Sequence, residues 1–418
     1  MLLSHKTSIK VSDTYSNIIG HMCYAAYKLW NVCNYERFHY KELGLKEYPD
    51  WYYQKKAHKE DLWYRQLPSQ TAQEVCKLLD RSWRSFYALK RTGGIENPNP
   101  PRFKQESIAI TYMQNAIVHE QGTGKVRLSL PKQLRVYMES EYQIGDKFLY
   151  LENKVFRNTG QIKQIRIYPP EKGRCEVIVI YRIEEPEKLP DNGHYLGIDL
   201  GLHNLLTCYD PEKGSAFIVG RKYLSICYYY NKEIAKAQKQ WYGIQAKKGV
   251  RYPKTSKHIR RLYRKKNDAV KDYLHKITRY IVTYCRKQGI HCVVIGDIKH
   301  IREKNDLGHK VNQKLHGLPY GRIYDMLEYK LAMEGIVLIR QNEAYTSQCS
   351  PHAYKVEKAY AEKGNRRKRG LYKDHGIIYN SDALGAYNIL RKYYNAAGIE
   401  KEMSVAGLSN PEIVKVAV

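Results

Sequence analysis

The spacing of hydrophobic residues changes along the chain, and each change predicts a different kind of structure. Between positions 13 and 103 apolar residues recur at helical spacing in two stretches, which predicts amphipathic helices beginning near Asp13 and Ser69. From 104 to 190 short runs such as KVRLSL and CEVIVIYRI are typical of antiparallel strands. The opening stretch, LLSHKTSIKV, is also strand-like, and we expect it to pair with them.

Beyond position 193 the pattern becomes an alternation of strands and helices. Strand-like segments such as YLGIDL, CVVIGDI and GIVLIRQ are separated by helical segments at 222–289, 319–334 and 382–395. This alternation predicts an α/β sheet covered by helices. The residues after 396 carry no such pattern, so we expect a flexible tail.

A chain of 418 residues is too long for a single core, so several domains are expected. The predicted fold class is α/β plus β and α. The domains are a β domain at 1–12 and 104–190, a helical domain at 13–103, an α/β domain at 193–345 and 380–396, an insertion at 346–379, and the tail at 397–418.

The charge of the chain indicates a nucleic-acid partner. Lys and Arg total 71 against 42 Asp and Glu, a formal net charge of +29, which attracts phosphate backbones. Tyr outnumbers Phe by 39 to 6, and tyrosine rings can stack on bases. The helical segment at 222–289 carries Arg260, Arg264 and Lys265; such a run is either a solvated face or an element that grips a strand, and we favour the second.

Other locations and frameworks find less support in the sequence. No long apolar run or amphipathic anchor indicates a membrane partner, and the first residues do not form a signal peptide. The nine cysteines include no C-x-x-C pair, so neither a disulfide framework nor a zinc ribbon is predicted. We expect an intracellular protein with reduced thiols.

Two aspartates are candidate catalytic residues. Asp199 lies within the apolar strand LGIDLG, where a charge must be paired or bound to a metal; the alternative is a salt bridge at the strand end. Asp382 opens the last helix, where capping or the helix dipole would also favour an acid. Hydrolysis of a phosphodiester by two Mg²⁺ ions needs several convergent carboxylates, so two aspartates are too few.

Four motifs in order resemble a known family. GIDLGLHNLLT, VVIGDIKH, YTSQCS and NSDALGAYNILRKY are similar to the split RuvC motifs of TnpB proteins, the compact transposon-encoded relatives of type V CRISPR effectors and of Fanzor proteins. Upstream, SQTAQEVCKLLDRSWRSF and NPPRFK resemble the helical recognition lobe of that family and its junction with the wedge domain. The resemblance spans nearly the whole chain.

The resemblance implies an RNA-guided DNA endonuclease. It implies an RNase H-like RuvC nuclease domain, an N-terminal wedge β-barrel and an inserted helical recognition domain. The cofactors would be two Mg²⁺ ions and a guide RNA, and the target would be double-stranded DNA beside a short flanking motif. We expect a bacterial cytoplasmic protein, nucleoid-associated when on DNA, that acts as a monomer or as a dimer on one RNA. Arg102 and Lys104 of NPPRFK would contact nucleic acid.

One departure from the family concerns the third carboxylate. The family usually has Glu-Asp after the second strand, whereas this chain has Gly296-Asp297. Either the site is inactive, leaving an RNA-guided binder with a repressor-like role, or Glu343 after GIVLIRQ takes over the ligand position. We favour Glu343, on condition that GIVLIRQ pairs beside CVVIGDI and its glutamate leaves the sheet at the same edge. Asp297 is the fallback third acid.

The second departure concerns zinc. The family often has two cysteine pairs before the last aspartate, whereas this chain offers Cys349, His352 and His375, too few for a tetrahedral structural site. We therefore expect no zinc. Arg366, Arg367 and Arg369 instead suit a loop that contacts phosphates.

A rival class is suggested by the same aspartate motif. GIDLG also resembles the first phosphate loop of actin-like ATPases, but no later glycine-rich loop supports that alternative.

Overall fold

The computed structural model of the protein describes residues 1–93, 95–120, 122–298, 317–366 and 370–417. The chain divides into two compact units, Met1–Glu184 and Glu185–Val418, which are described in turn.

The N-terminal unit combines helices with two antiparallel sheets. Its elements are β1 (Leu2–Lys10), α1 (Asp13–Phe38), α2 (Trp51–Ala57), α3 (Leu62–Arg65), α4 (Ser69–Thr92), β2 (Ile110–Met113), β3 (Ile117–Glu120), β4 (Lys125–Ser129), α5 (Lys132–Tyr142), β5 (Phe148–Glu152), β6 (Gln161–Ile167) and β7 (Arg174–Arg182). The sheets have the strand orders β1-β7-β6-β2 and β3-β4-β5. β1 pairs with β7 along its whole length, which confirms the expected pairing of the first strand.

The helices and strands of this unit share one hydrophobic core. Ile18, Leu29 and Leu79 from the helices belong to the same buried cluster as Ile165 and Val177 from the sheet. The separate β and helical domains predicted over these residues therefore pack as one compact unit, and a barrel or a recognition role for them stays a prediction. α5 was not predicted; it buries Leu134 and Met138, four residues apart on one helical face.

The C-terminal unit is an α/β structure. Its elements are β8 (Tyr195–Asp199), β9 (Leu206–Asp210), β10 (Ser215–Val219), α6 (Tyr223–Lys247), α7 (Lys257–Gln288), β11 (Cys292–Asp297), α8 (Tyr320–Ala332), β12 (Val337–Asn342), β13 (Leu371–Asp374), β14 (Ile377–Asn380), α9 (Ser381–Ala397) and β15 (Gly407–Ile413). The main sheet has the order β12-β11-β8-β9-β10-β15, and β13 and β14 form a separate hairpin.

Helices cover both faces of the main sheet, as the alternation of strands and helices predicts. Side chains alternate between the two faces of a strand, so Val293 and Ile295 pack with α7 and α8 while Cys292 and Val294 pack with α9. The central strands β8, β9, β10 and β11 are mostly apolar because both of their sides are buried, whereas the edge strands β12 and β15 are more exposed.

Two details differ from the sequence prediction. The helical segment at 222–289 is two helices, because Gly249 has φ +72° and Ser256 caps the start of α7. The tail at 397–418 is not a uniformly flexible segment: β15 pairs in parallel with β10, and its Leu408 is fully buried in the core beneath α9.

Over the ranges that the structure describes, no helix has the length and apolar character needed to cross a membrane.

Candidate active site

The carboxyl ends of three parallel strands bring acidic residues to one edge of the main sheet. β11 pairs in parallel with β8 on one side and with β12 on the other, with Asp297 opposite Asn342. Asp199 ends β8, Asp297 ends β11, and Glu343 follows β12. The predicted pairing of GIVLIRQ beside CVVIGDI is therefore confirmed. In sheets of this kind the carboxyl ends of the strands are the usual place for a site.

Gly296 leaves the space that the Glu343 side chain occupies. A Cβ atom built on Gly296 would lie 2.6 Å from Oε2 of Glu343 and 3.0 Å from Cδ1 of Ile389. Ordinary contacts of a Cβ atom are longer than 3.4 Å, so any side chain at 296 would require Glu343 and Ile389 to shift from these positions. The absence of a glutamate side chain at 296 and the position of Glu343 are thus two sides of one packing arrangement.

The start of α9 supplies a further carboxylate. The side chain of Asn380 caps the helix by accepting from the backbone N–H groups of Asp382 and Ala383, so the Asp382 side chain is not the cap. Nδ2 of Asn204 donates to Oδ2 of Asp382 at 2.8 Å. One turn later Gly385 packs on Asp199, whose carboxyl oxygen Oδ1 would be 3.1 Å from an added Cβ.

These acids act on one another electrostatically. Burial raises the pKa of Asp199 well above its usual range, and the negative charges of Asp382 and Glu343 raise it further, while Arg366 lowers it. Burial, and then the charge of Asp297, raise the pKa of Glu343 to about 7. The site is a concentration of negative charge that the described protein groups compensate only in part.

The turn after β12 is held by residues outside the predicted set of carboxylates and basic contacts. Oγ1 of Thr346 donates to the carbonyl of Glu343 at 2.8 Å, and the amide of buried Asn388 donates to the carbonyl of Thr346 at 2.8 Å. Nζ of Lys392 donates to the carbonyl of Ala344 at 3.2 Å. α9 therefore both carries Asp382 and fixes the turn that presents Glu343. In the sequence, the feature that could have indicated this role is the spacing along α9, which places Asn388 and Lys392 one and two turns beyond Gly385.

A tyrosine steadies the neighbouring strand end. The hydroxyl of buried Tyr324 donates to the carbonyl of Gly296 and accepts from the N–H of Ile298 at 3.3 Å. The sequence gives no signal for this role of Tyr324, because α8 meets the end of β11 only in the folded protein.

The residues at this edge are carboxylates, whose oxygens are suitable ligands for divalent cations. Oε2 of Glu343 is buried and has no hydrogen-bond partner among the described residues, as expected for an oxygen that a cation would satisfy. As they stand, no three His, Cys, Asp or Glu side chains in the described ranges are close enough to hold a metal ion. Repulsion keeps uncompensated carboxylates apart, and a bound cation would remove that repulsion.

The predicted nucleic-acid contacts lie in different parts of the chain. Arg260, Arg264 and Lys265 are exposed on the first half of α7. In the N-terminal unit Arg102 and Lys104 are exposed, and their carbonyls accept from Trp30 and Asn31 of α1. Their binding roles stay predictions.

Arg366 is near the acidic edge. Its guanidinium donates to Oγ of Ser347 at 2.8 Å, and its charge reaches Asp199. Arg367 and Arg369 lie outside the described residues.

The candidate zinc residues are used differently from zinc ligands. Cys349 is buried, and its Sγ donates to the carbonyl of Glu357 at 3.4 Å, whereas His375 is exposed. The segment is instead tied to α9 by Arg391, which donates to the carbonyls of Ser350, Pro351 and Ala353.

Comparison with known proteins connects these motifs to families. Residues 178–302 match the OrfB_IS605 family, described as "Probable transposase", and residues 320–389 match the Cas12f1-like TNB domain. The chain is 23% identical over 375 residues to the protein named "Putative RNA-guided DNA endonuclease InsQ" from Escherichia coli (strain K12), covering 84% of this chain and 82% of that protein. The resemblance to TnpB-like RNA-guided nucleases is confirmed. The region that matches OrfB_IS605 contains Asp199 and Asp297, and the region that matches the Cas12f1-like TNB domain contains Glu343 and Asp382.

The fold is also similar to that of a solved structure. A Cas12f1 structure, described as "Cryo-EM structure of the Cas12f1-sgRNA-target DNA complex", is similar with a TM-score of 0.57 at 15% identity, over 90% of this chain and 83% of that chain. The mixed α/β architecture described above is therefore shared with a Cas12 effector.

Proposed function

We propose that this protein is an RNA-guided DNA endonuclease that cleaves target DNA beside a short flanking motif by two-metal hydrolysis. The observation that carries the proposal is that Asp199, Glu343 and Asp382 lie near one edge of the sheet. The Glu343 side chain fills the space that a side chain at position 296 would occupy. A decayed site would have no reason to retain a glutamate that packs into the space left at 296.

In this proposal each carboxylate has a separate task. The charges of both Asp382 and Glu343 act on Asp199. Asp199 would therefore bridge two Mg²⁺ ions, while Glu343 and Asp382 would each be a ligand of one ion. When bound, the ions would activate the attacking water and stabilise the leaving oxygen. Asn204 orients the Asp382 carboxylate by its hydrogen bond, and the Asn388-anchored turn orients Glu343. Arg366 would balance the charge of a phosphate that approaches Asp199.

The partners follow from charge and from the relatives. The net charge of +29 suits a long nucleic-acid interface. The name of the InsQ protein describes an RNA-guided DNA endonuclease. The Cas12f1 structure is described as a complex with sgRNA and target DNA. A guide RNA would supply the sequence specificity, while the exposed basic residues of α7 would follow the backbone of the heteroduplex.

Purified protein carrying its guide RNA, incubated with matched double-stranded DNA and Mg²⁺, tests the proposal. We expect cleavage that requires both the match and the metal, and that Asp199→Ala abolishes. Binding of matched DNA without cleavage would support the alternative, a nuclease-dead RNA-guided binder. The absence of RNA-dependent DNA binding would overturn both.

A further inference from the structure

A cavity of about 630 Å³ lies between α1, α3 and α5 in the N-terminal unit. Its walls include His21 and Tyr24 of α1, Trp63 of α3, and Tyr137 and Tyr142 of α5. The volume is within the range of small-molecule sites, about 300–1,000 Å³. Neither the carboxylate site nor the predicted basic contacts use these residues.

The rings around the cavity form an aromatic wall. His21 stacks on Tyr137 with ring centroids 4.6 Å apart, and Tyr24 meets Trp63 edge to face at 5.6 Å. Tyr24 and Tyr142 are still 39% and 49% exposed, so this side of the wall is open to an incoming group. Flat faces of this kind favour a planar, polarisable ligand such as a nucleobase.

Polar atoms of the lining residues have unused hydrogen-bonding capacity. Oγ of Ser16, Nε2 of His21 and Oε1 of Gln66 are buried without a hydrogen-bond partner among the described residues. Leaving such an atom unpaired is unfavourable, so a ligand that pairs with them as the side chains adjust is favoured. Burial lowers the pKa of His21, so its ring is neutral at pH 7 and offers both a donor and an acceptor.

A cation stands beside the aromatic wall. Nζ of Lys28 is 5.3 Å from the ring centroid of Tyr24 and 5.1 Å from that of Tyr27. It is suited to the phosphate that accompanies a base. Rings, unpaired donors and acceptors, and one positive charge together match the parts of a nucleotide.

We propose that this cavity binds one unpaired nucleobase of the guide RNA. The proposal rests on the proposed function, because it takes the RNA from there. Guide RNA is favoured over DNA because proteins recognise single-stranded RNA by stacking splayed bases on aromatic side chains and bonding their edges.

The test uses full-length protein with the RNA that copurifies with it. Trp63→Ala removes part of the wall, and His21→Phe keeps a ring against Tyr137 but removes the nitrogens. Tyr53→Ala is the matched control, since Tyr53 is an exposed tyrosine of the same unit outside the cavity lining. Chemical probing of the Watson–Crick edges should show one protected nucleotide in the wild-type complex that becomes reactive in both cavity variants and stays protected in Tyr53→Ala. Loss of one stacked base should weaken RNA binding by about 5- to 150-fold in Trp63→Ala.

The outcomes separate this inference from the proposed function. RNA bound by both cavity variants with an unchanged reactivity pattern overturns the cavity proposal and leaves the nuclease proposal standing. Wild-type protein that binds no RNA overturns the proposed function and, with it, guide RNA as the occupant. Saturation-transfer NMR with AMP, CMP, GMP and UMP then identifies the ligand of the cavity. Nucleotide binding by the wild-type protein that is lost in Trp63→Ala would make a free nucleotide the ligand, whereas no nucleotide binding by the wild-type protein would reject a base site altogether.

Discussion

Gly296 and Glu343 occupy one space at the edge of the main sheet: a Cβ atom on the glycine would lie 2.6 Å from Oε2 of the glutamate. The two residues are far apart in the sequence, and the parallel pairing of β11 with β12 brings them together. A glutamate at 296 and the present position of Glu343 exclude each other sterically. This relationship turns a missing family residue into a specific hypothesis about which side chain replaces it.

Replacing Glu343 by Ala should reduce the rate of DNA cleavage by about 100-fold or more, because a metal ligand would be lost. Each tenfold loss in rate corresponds to ~1.4 kcal/mol in activation free energy. Guide RNA binding should be unchanged, since Glu343 is not among the basic contacts. Cleavage rates with matched DNA and Mg²⁺ measure the effect. Asp297→Ala, made in parallel, should lose less; full activity of Glu343→Ala together with an inactive Asp297→Ala would make Asp297 the third acid.

Gly296→Ala should also impair cleavage, because the added methyl group displaces Glu343 and presses on Ile389. A displaced Glu343 carboxylate would hold a metal ion less well, so a loss of about 10-fold or more in rate, ~1.4 kcal/mol or more in activation free energy, is expected. Gly321→Ala is the control, as its added Cβ would meet no atom within 4 Å.

The double variant Gly296→Glu with Glu343→Ala tests the exchange directly. It moves the carboxylate back to β11 and should cleave measurably faster than Glu343→Ala alone. A double variant as inactive as the single one would argue against an exchange between these two positions.

Replacing Arg260, Arg264 and Lys265 of α7 together by Ala should weaken binding to an RNA–DNA heteroduplex. Loss of three phosphate contacts should reduce the slope of log K against log salt by about 2–3, since each contact contributes ~0.7–0.9. Filter binding between about 50 and 200 mM salt measures the slope. Lys276→Ala on the same helix is the control, because Lys276 is paired with Asp272 at 2.8 Å; equal slopes for wild type and the triple variant would mean a solvated face.

Lys330 should make the stability of the C-terminal unit depend on alkaline pH. Burial, and then the charge of Arg279, lower the pKa of Lys330 to about 8 from 10.5, while Nζ donates to Oγ1 of Thr278 at 2.7 Å. Between these two values the unfolded chain binds more protons than the folded one, so the free energy of unfolding rises with pH in that window. Urea unfolding should show this rise in wild type and a smaller one in Lys330→Met. Lys276→Met, at a partly buried lysine that is paired with Asp272 on α7, should keep the wild-type profile.

Arg391 should hold the segment at 346–379 without zinc. Arg391→Met removes charge-assisted hydrogen bonds to three carbonyls and should lower the free energy of unfolding by about 3 kcal/mol. Arg391→Lys, which keeps the charge but not the fork of donors, should lie between. A zinc chelator should leave the melting temperature of wild type unchanged; a large drop would show that the segment binds zinc after all.

Much of the fold follows from local pattern. The helices beginning at Asp13 and Ser69, the strands around CVVIGDI and GIVLIRQ, and the covering of the α/β sheet by helices agree with periodicity, because each depends on residues close together in the chain. α5 was missed because a short helix among strands carries only two buried residues. The ordered β15 was missed because its partner, β10, is distant in sequence.

The sequence by itself singled out the candidate catalytic residues: an aspartate in an apolar strand, another at a helix start, and an acid after each of two strands that parallel pairing would place at one edge. Only the tertiary structure decided how they are held. The packing of Gly296 on Glu343, the support of the turn by Asn388 and Lys392, the burial that raises the pKa of Glu343 to about 7, and the Arg391 hydrogen bonds all join segments far apart in the chain. Periodicity reports what a residue's neighbours in sequence require, whereas strand register and close packing depend on neighbours in space.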